Sequence, residues 1–252
     1  MHDWLQTPPG RYLLAWEQAE FDRTVADLFG YHALQLGLPE LAGLQANRMS
    51  HRWLAVPEAG QVALPTLVTD PCALPFPENS LDLILLPHTL ELSPDPHAAL
   101  REVHRVLVPE GRVVISCLNP GSLWGFKQRR AQLYRHLGFG QLFLPEAGEF
   151  IAYWRLRDWL RLLGFEVETA RFGCYRPALR TDKWLDRFAW MDRAGDRWWP
   201  IFGAVTFVVG VKKVHGMRLL SPPWKVRKNM AAAPVPVASP AQNARKTNHE
   251  PD

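Results

Sequence analysis

Between Thr69 and Asn119 apolar and polar residues fall into blocks whose lengths suit successive elements. Leu83–Leu86 is an unbroken apolar run, as a strand covered on both faces requires. Leu100, Val103 and Leu107 recur along one face of a predicted helix, with Asp95 as its cap and Pro96 at its first position. Pro109-Glu110-Gly111 is expected to stop that helix, and Val113–Cys117 to follow as a second buried strand. Two buried strands joined by a helix make a βαβ unit, which crosses over right-handed into a parallel sheet. Leu14, Phe21, Val25 and Leu28 predict a helix over 11–28, behind the breaker cluster Pro8-Pro9-Gly10 and a loose lead-in. Leu156, Trp159, Leu160 and Leu163 predict another over 155–163, closed by Gly164 and followed by a strand over 165–172. The run Ile201–Val211 is too short for an ordinary membrane span and reads as a buried strand, 204–211.

Composition changes this picture little. With 252 residues, 47% hydrophobic and 21% charged, the chain has the balance of a globular protein with ample core. The net charge of +4 is mild, and Lys225, Arg227, Lys228, Arg245 and Lys246 carry part of it. Cys72, Cys117 and Cys174 are far apart and follow no metal spacing, so reduced thiols and no metal are expected. Neither a signal segment nor a membrane span is visible, and a cytoplasmic location is the expectation.

The 69–119 stretch resembles the class I S-adenosylmethionine-dependent methyltransferase domain in its type 11 form. The resemblance rests on Asp70 with Leu74-Pro75-Phe76-Pro77 and Ser80-Leu81-Asp82, the Leu83–Leu86 strand, and His88-Thr89-Leu90-Glu91. Asp95-Pro96, Leu100-Arg101-Glu102, Arg105-Val106-Leu107 and Pro109-Glu110-Gly111-Arg112 complete it. It implies a Rossmann-like α/β fold, a mostly parallel seven-stranded sheet flanked by helices, with the last strand antiparallel. It also implies S-adenosyl-L-methionine as cofactor and a methyl acceptor that the sequence does not name. The chain then divides into a helical lead-in over 1–30, an α/β domain over 31–215 with helical or aromatic insertions near 121–150 and 176–200, and a disordered Pro/Ala-rich basic tail over 216–252.

The resemblance also implies where the cofactor meets the chain. The first strand, over 34–36, should run into an acidic residue and a glycine-rich turn. Gln35 stands at the acidic position, Gly37 at the first glycine, and Leu38-Pro39-Glu40-Leu41 supplies no further glycine. A short helical link over 41–50 and a second strand over 52–56 lead to Glu58, the acid nearest the ribose position. A third strand over 66–69 ends at Asp70-Pro71-Cys72-Ala73, where the family meets adenine; a loop-capping aspartate is the other reading. Pro87-His88 follows the fourth strand at the carboxyl edge, where open α/β sheets bind ligands. His88 is the candidate general base, while a structural histidine is the preferred reading of the residue by itself. Asn119 either binds a polar substrate group or caps the following helix. The tryptophans and arginines of 176–200 can stack on bases, cap an apolar acceptor, or pack as a small subdomain; packing is preferred, and nucleic acid is not the favoured partner. The degenerate turn also keeps open a methyltransferase fold that has lost its activity and serves as a binding or regulatory module.

Overall fold

The computed structural model describes residues 1–58, 66–136, 142–144 and 150–213. The tail expected over 216–252, and 137–141 and 145–149 of the first insertion, lie outside the described residues. The strands are β1 (His32–Leu36), β2 (His51–Val56), β3 (Leu67–Val68), β4 (Leu81–Pro87), β5 (Leu107–Leu118), β6 (Phe165–Gly173) and β7 (Val205–Lys212). The helices are α1 (His2–Leu5), α2 (Pro8–Val25), α3 (Thr89–Leu92), α4 (Pro96–Val106), α5 (Leu123–His136), α6 (Tyr153–Leu162), α7 (Asp182–Arg187) and α8 (Trp190–Trp198).

The strands form one seven-stranded sheet in the order β3-β2-β1-β4-β5-β7-β6. The first five in space pair in parallel, and β7 runs against both β5 and β6. Strand order reverses between β1 and β4, which places a topological switch at their carboxyl ends.

Alternation along the strands sorts their side chains into two cores. Ala33, Leu83, Leu85, Val114 and Phe207 pack with Leu13, Phe21 and Val25 of α2. Leu34, Ile84, Leu86, Ile115 and Val208 pack on the other face with Leu100 and Val103 of α4 and with Leu156 and Leu160 of α6.

Four local expectations change. Pro8-Pro9-Gly10 opens α2 instead of breaking it. Thr7 caps the helix, accepting from the Gly10 N–H, and the prolines occupy first-turn positions that need no amide donor. The lead-in is thereby part of the core: Leu5 is fully buried, and Phe21 meets the Phe207 ring at 5.0 Å. Second, the link over 41–50 holds turns and no helix. Third, α4 ends at Val106 without help from Pro109-Glu110-Gly111, because Leu107 is already extended and begins β5. Those three residues form an irregularity in β5, with Glu110 at φ 63°, while the register steps from Leu81↔Leu107 to Leu83↔Arg112. Fourth, the buried part of the 201–211 run begins only at Gly203; Ile201 and Phe202 are exposed.

If α2 belongs to the folded core, Phe21→Ala lowers the unfolding free energy by about 3–5 kcal/mol, the usual cost of emptying a buried aromatic site. Denaturant titration measures this, and a loss under about 1 kcal/mol would class α2 as a loosely attached lead-in.

Candidate functional site at the carboxyl edge of the sheet

The parallel strands deliver the sequence-predicted residues to one edge. Asp70 lies two residues past β3, Glu58 two past β2, Gly37 one past β1, and Pro87 ends β4 before His88. The strand order therefore arranges them spatially as Asp70, Glu58, Gly37, His88. They differ in access. Asp70, Ala73 and Glu58 are exposed, Pro71, Cys72 and Gly37 are half-buried, and Pro87 and His88 are buried.

At the outer end, Asp70 Oδ1 accepts from the Cys72 N–H at 2.8 Å, and the Asp70 carbonyl accepts from the Ala73 N–H at 3.0 Å. The aspartate thus caps its own loop, as one of its two sequence readings held, while standing at the surface. Burial raises the Cys72 thiol, and burial pushes Cys117 and Cys174 well up, so none is set up as a thiolate nucleophile at neutral pH.

The first turn explains the glutamine. Gln35 Nε2 donates to the carbonyls of Gly37, Leu38 and Leu41 at 3.2, 3.0 and 2.8 Å, and its Oε1 accepts from the Gly43 N–H at 3.0 Å. The loop turns three carbonyl oxygens toward this side chain, so a donor is required there and a carboxylate would be repelled. Gly37 at φ +75° and Leu38 at φ 43° make the bend, and Leu38 and Leu41 are buried. A Cβ on Gly37 would meet the Thr89 hydroxyl at 3.5 Å, an ordinary contact, so the glycine is needed for its backbone angle.

At the inner end the chain builds a buried charged cluster. His88 adopts a left-handed conformation, φ 54°, which turns the chain from β4 into α3. Its Nδ1 bonds Glu91 Oε1, and its Nε2 lies 2.9 Å from Glu17 Oε1 of α2. The Glu17 contact has ion-pair distance but not hydrogen-bond direction, and both Glu17 oxygens and the nearby Ser116 hydroxyl lack a hydrogen-bond partner. Glu91 Oε2 accepts from the Leu118 N–H at 2.8 Å, the His88 N–H reaches the Ser116 carbonyl at 2.9 Å, and the Thr89 hydroxyl donates to the Leu36 carbonyl at 2.5 Å. Burial by itself would lower the imidazole pKa, but the Glu17 and Glu91 carboxylates outweigh it and push it up to about 10. The histidine that was a candidate base is a buried cation held between two acids, in line with the structural reading.

Sequence reasoning passed over Glu17 and Glu20, and it quoted Glu91 in a motif without giving it a role. Glu17 falls in phase with the buried residues Leu13 and Phe21, and an acid on the apolar face of a helix was the available signal. Glu20, one turn on, approaches Arg171 of β6 at 3.5 Å. Asn119 is used structurally: its Nδ2 donates to the Ile201 and Gly203 carbonyls and its Oδ1 accepts from the Gly121 N–H. Beside this edge Trp16, Arg171, Phe172, Cys174, Tyr175, Asp192, Arg193 and Asp196 line a cleft of about 240 Å³. Among the described residues no group of His, Cys, Asp or Glu is arranged to hold a metal ion, and no helix is long and apolar enough to cross a membrane.

A methyltransferase-domain family model matches residues 41–115. The uncharacterized protein YafS of Escherichia coli (strain K12) is 32% identical over 165 residues, 65% of each chain. A demethylmenaquinone methyltransferase of Anoxybacillus flavithermus is 31% identical over 116 residues, 40% of this chain and 49% of that one. The chain therefore spans less than two thirds of either relative's length. In three dimensions it superimposes on a SAM-dependent methyltransferase from Thermotoga maritima with a TM-score of 0.57 at 16% identity, covering 80% of this chain and 92% of that one.

Two substitutions test the geometry. Gln35→Glu removes the three donated bonds and sets a buried charge against carbonyls, and it should cost about 3–5 kcal/mol in denaturant unfolding. His88→Gln leaves Glu17 and Glu91 without their cation and should cost a similar amount, about 3–5 kcal/mol. Because the folded pKa of His88, about 10, lies above its ordinary 6.5, the stability it contributes is complete below pH 6.5 and is lost as pH rises through 10. Unfolding followed between pH 6 and 10 should show this decline in the parent protein and a flatter profile in His88→Gln.

Proposed function

We propose that the chain, whose residues 41–115 match a methyltransferase-domain family model and whose fold is that of a class I methyltransferase, transfers a methyl group from S-adenosylmethionine to an acceptor at the carboxyl edge of its sheet. The observation that carries the reading is the alignment of Asp70, Glu58 and Gly37 at adjacent strand ends beside the switch between β1 and β4.

These residues fit the adenosyl end of the cofactor. Asp70 is exposed with one carboxylate oxygen committed to its own loop, which leaves the other to accept from an amino group. Glu58 stands exposed past β2, where a carboxylate can accept from two ribose hydroxyls. Cys72 and Ala73 extend the turn that would flank the adenine ring, with Pro71 stiffening it. At the methionine end the fit is confined to Gly37, since Gln35 already occupies the neighbouring carbonyls.

When bound, the cofactor supplies an electrophilic methyl on a sulfonium. The chain's own contribution is mainly positioning. An imidazolium has no lone pair free to take a proton, so His88 acts here as a positioning residue: it holds the β4 turn against α2 and fixes the height of the edge on which the reactants meet.

Calorimetric titration with S-adenosylmethionine and S-adenosylhomocysteine tests the proposal. Micromolar binding is expected, about tenfold weaker (1.4 kcal/mol) in both Asp70→Ala and Asp70→Asn. The asparagine variant can still cap the loop through its Oδ1, so its loss reports a ligand contact and not a collapsed turn. No heat from a cooperatively folded sample would overturn the reading and leave partner binding as the use of the fold.

A further inference from the structure

Trp198-Trp199-Pro200-Ile201-Phe202 is an apolar run held in the open. Trp198, Ile201 and Phe202 are 73%, 53% and 57% exposed, and Trp199 is 38% exposed. The backbone behind them is fastened. The Asn119 side chain donates to the Ile201 carbonyl at 2.7 Å, the Tyr175 hydroxyl donates to the Pro200 carbonyl at 2.9 Å, and the Phe202 N–H reaches the Trp199 carbonyl at 3.1 Å. Asn119 also begins the turn into α5, whose first residues Leu123 and Phe126 are exposed as well. The exposed arginines 129 and 130 follow Leu123 and Phe126 on α5, and the exposed arginines 193 and 197 precede the loop on α8. Of the nearby acids, Asp192 is engaged by Arg176 and the Tyr12 hydroxyl, Asp186 faces Arg176, and the exposed Asp196 lies on α8 between Arg193 and Arg197, which outnumber it.

We propose that the Trp198–Phe202 loop, with Leu123 and Phe126, seats the protein on an anionic phospholipid surface, the carboxyl edge of the sheet facing the bilayer. Tryptophan favours the headgroup level of a bilayer, with its ring half in hydrocarbon. Exposed aliphatic and aromatic side chains gain burial there, and each arginine near an anionic surface adds about 1 kcal/mol. Charge selects this occupant over a second copy of the chain, which would bring arginine against arginine. Side-chain type selects it over single-stranded nucleic acid, because Leu123 and Ile201 offer no ring on which a base can stack. The docking requires neither cofactor nor methyl transfer, so it stands or falls separately from the proposed reaction.

Co-sedimentation of the full chain with phosphatidylcholine vesicles, with and without phosphatidylglycerol, tests the proposal. Partition onto the phosphatidylglycerol vesicles with a blue shift of tryptophan emission is expected, weakened about tenfold or more by Trp198→Ser/Phe202→Ser. Both side chains are exposed, so thermal unfolding of that variant should match the parent. Arg129→Gln/Arg197→Gln should lose the preference for the anionic lipid. Absent partition, or partition equal in parent and loop variant, overturns the proposal. It is equally overturned if vesicles stay unbound while the loop variant abolishes either binding to single-stranded homopolymer or a concentration-dependent dimer.

Discussion

The ion cluster of Glu17, His88 and Glu91 ties together the parts of the structure that matter for the site. It joins the amino-terminal helix to the end of β4 and, through Glu91 and the Leu118 N–H, to the end of β5. Three charges out of water are expensive to hold, and they are tolerated only while each faces an opposite partner. The left-handed backbone at His88 is a further strain of order 1 kcal/mol or more. Both costs are offset by the apolar packing above them: Leu13, Phe21 and Val25 of α2 bury the sheet face around Ala33, Leu85 and Phe207. The helix and the cluster are therefore mutually dependent. Neither could be moved without exposing apolar surface or stranding a charge.

The first turn shows a second constraint of the same kind. In a glycine-rich turn the backbone N–H groups face outward to a ligand, and an acid behind them organises the loop. Here the carbonyls of Gly37, Leu38 and Leu41 converge on one side chain, and an amide that donates is the side chain that satisfies them. Gln35, Leu38 and Leu41 are thus a consistent set. The loop has a packed interior in place of backbone openness, and the turns between β1 and β2 place Leu38, Leu41 and Met49 in the same core as Leu13, Phe21 and Val25 of α2. A methyltransferase-like fold and an altered first turn are compatible because the fold is carried by strand order, which this loop does not set.

The same edge separates two kinds of surface. From Asp70 to Gly37 it is polar and open, while beyond Asn119 it carries the fastened apolar loop of Trp198–Phe202. A side chain that pins a loop's carbonyls while its apolar groups stay outward spends ordering on a surface rather than on a core. Asn119, which from its position alone read equally as a substrate contact or a helix cap, holds that loop instead.

Much of the fold was legible in the chain because its signals are local. The period of Leu100 and Val103, the cap at Asp95 and the unbroken run in β4 each depend on neighbours within one or two turns. The resemblance over 69–119 then implied a mostly parallel seven-stranded sheet with an antiparallel last strand, while the order of its strands came from the structure. Local rules were misleading where an element's end depends on context: Pro8-Pro9 could break a helix or begin one, and Pro109-Glu110-Gly111 could stop one or kink a strand. By itself the sequence determined the strands, the helices α2, α4 and α6, and which residues arrive at the carboxyl edge. Only the tertiary structure decided their states. His88 becomes a buried cation because Glu17, 71 positions earlier, is laid across it, and Ile201 becomes surface because Asn119 holds its backbone. Charge state and exposure are set by partners brought together through the sheet, and separation along the chain carries no record of that distance in space.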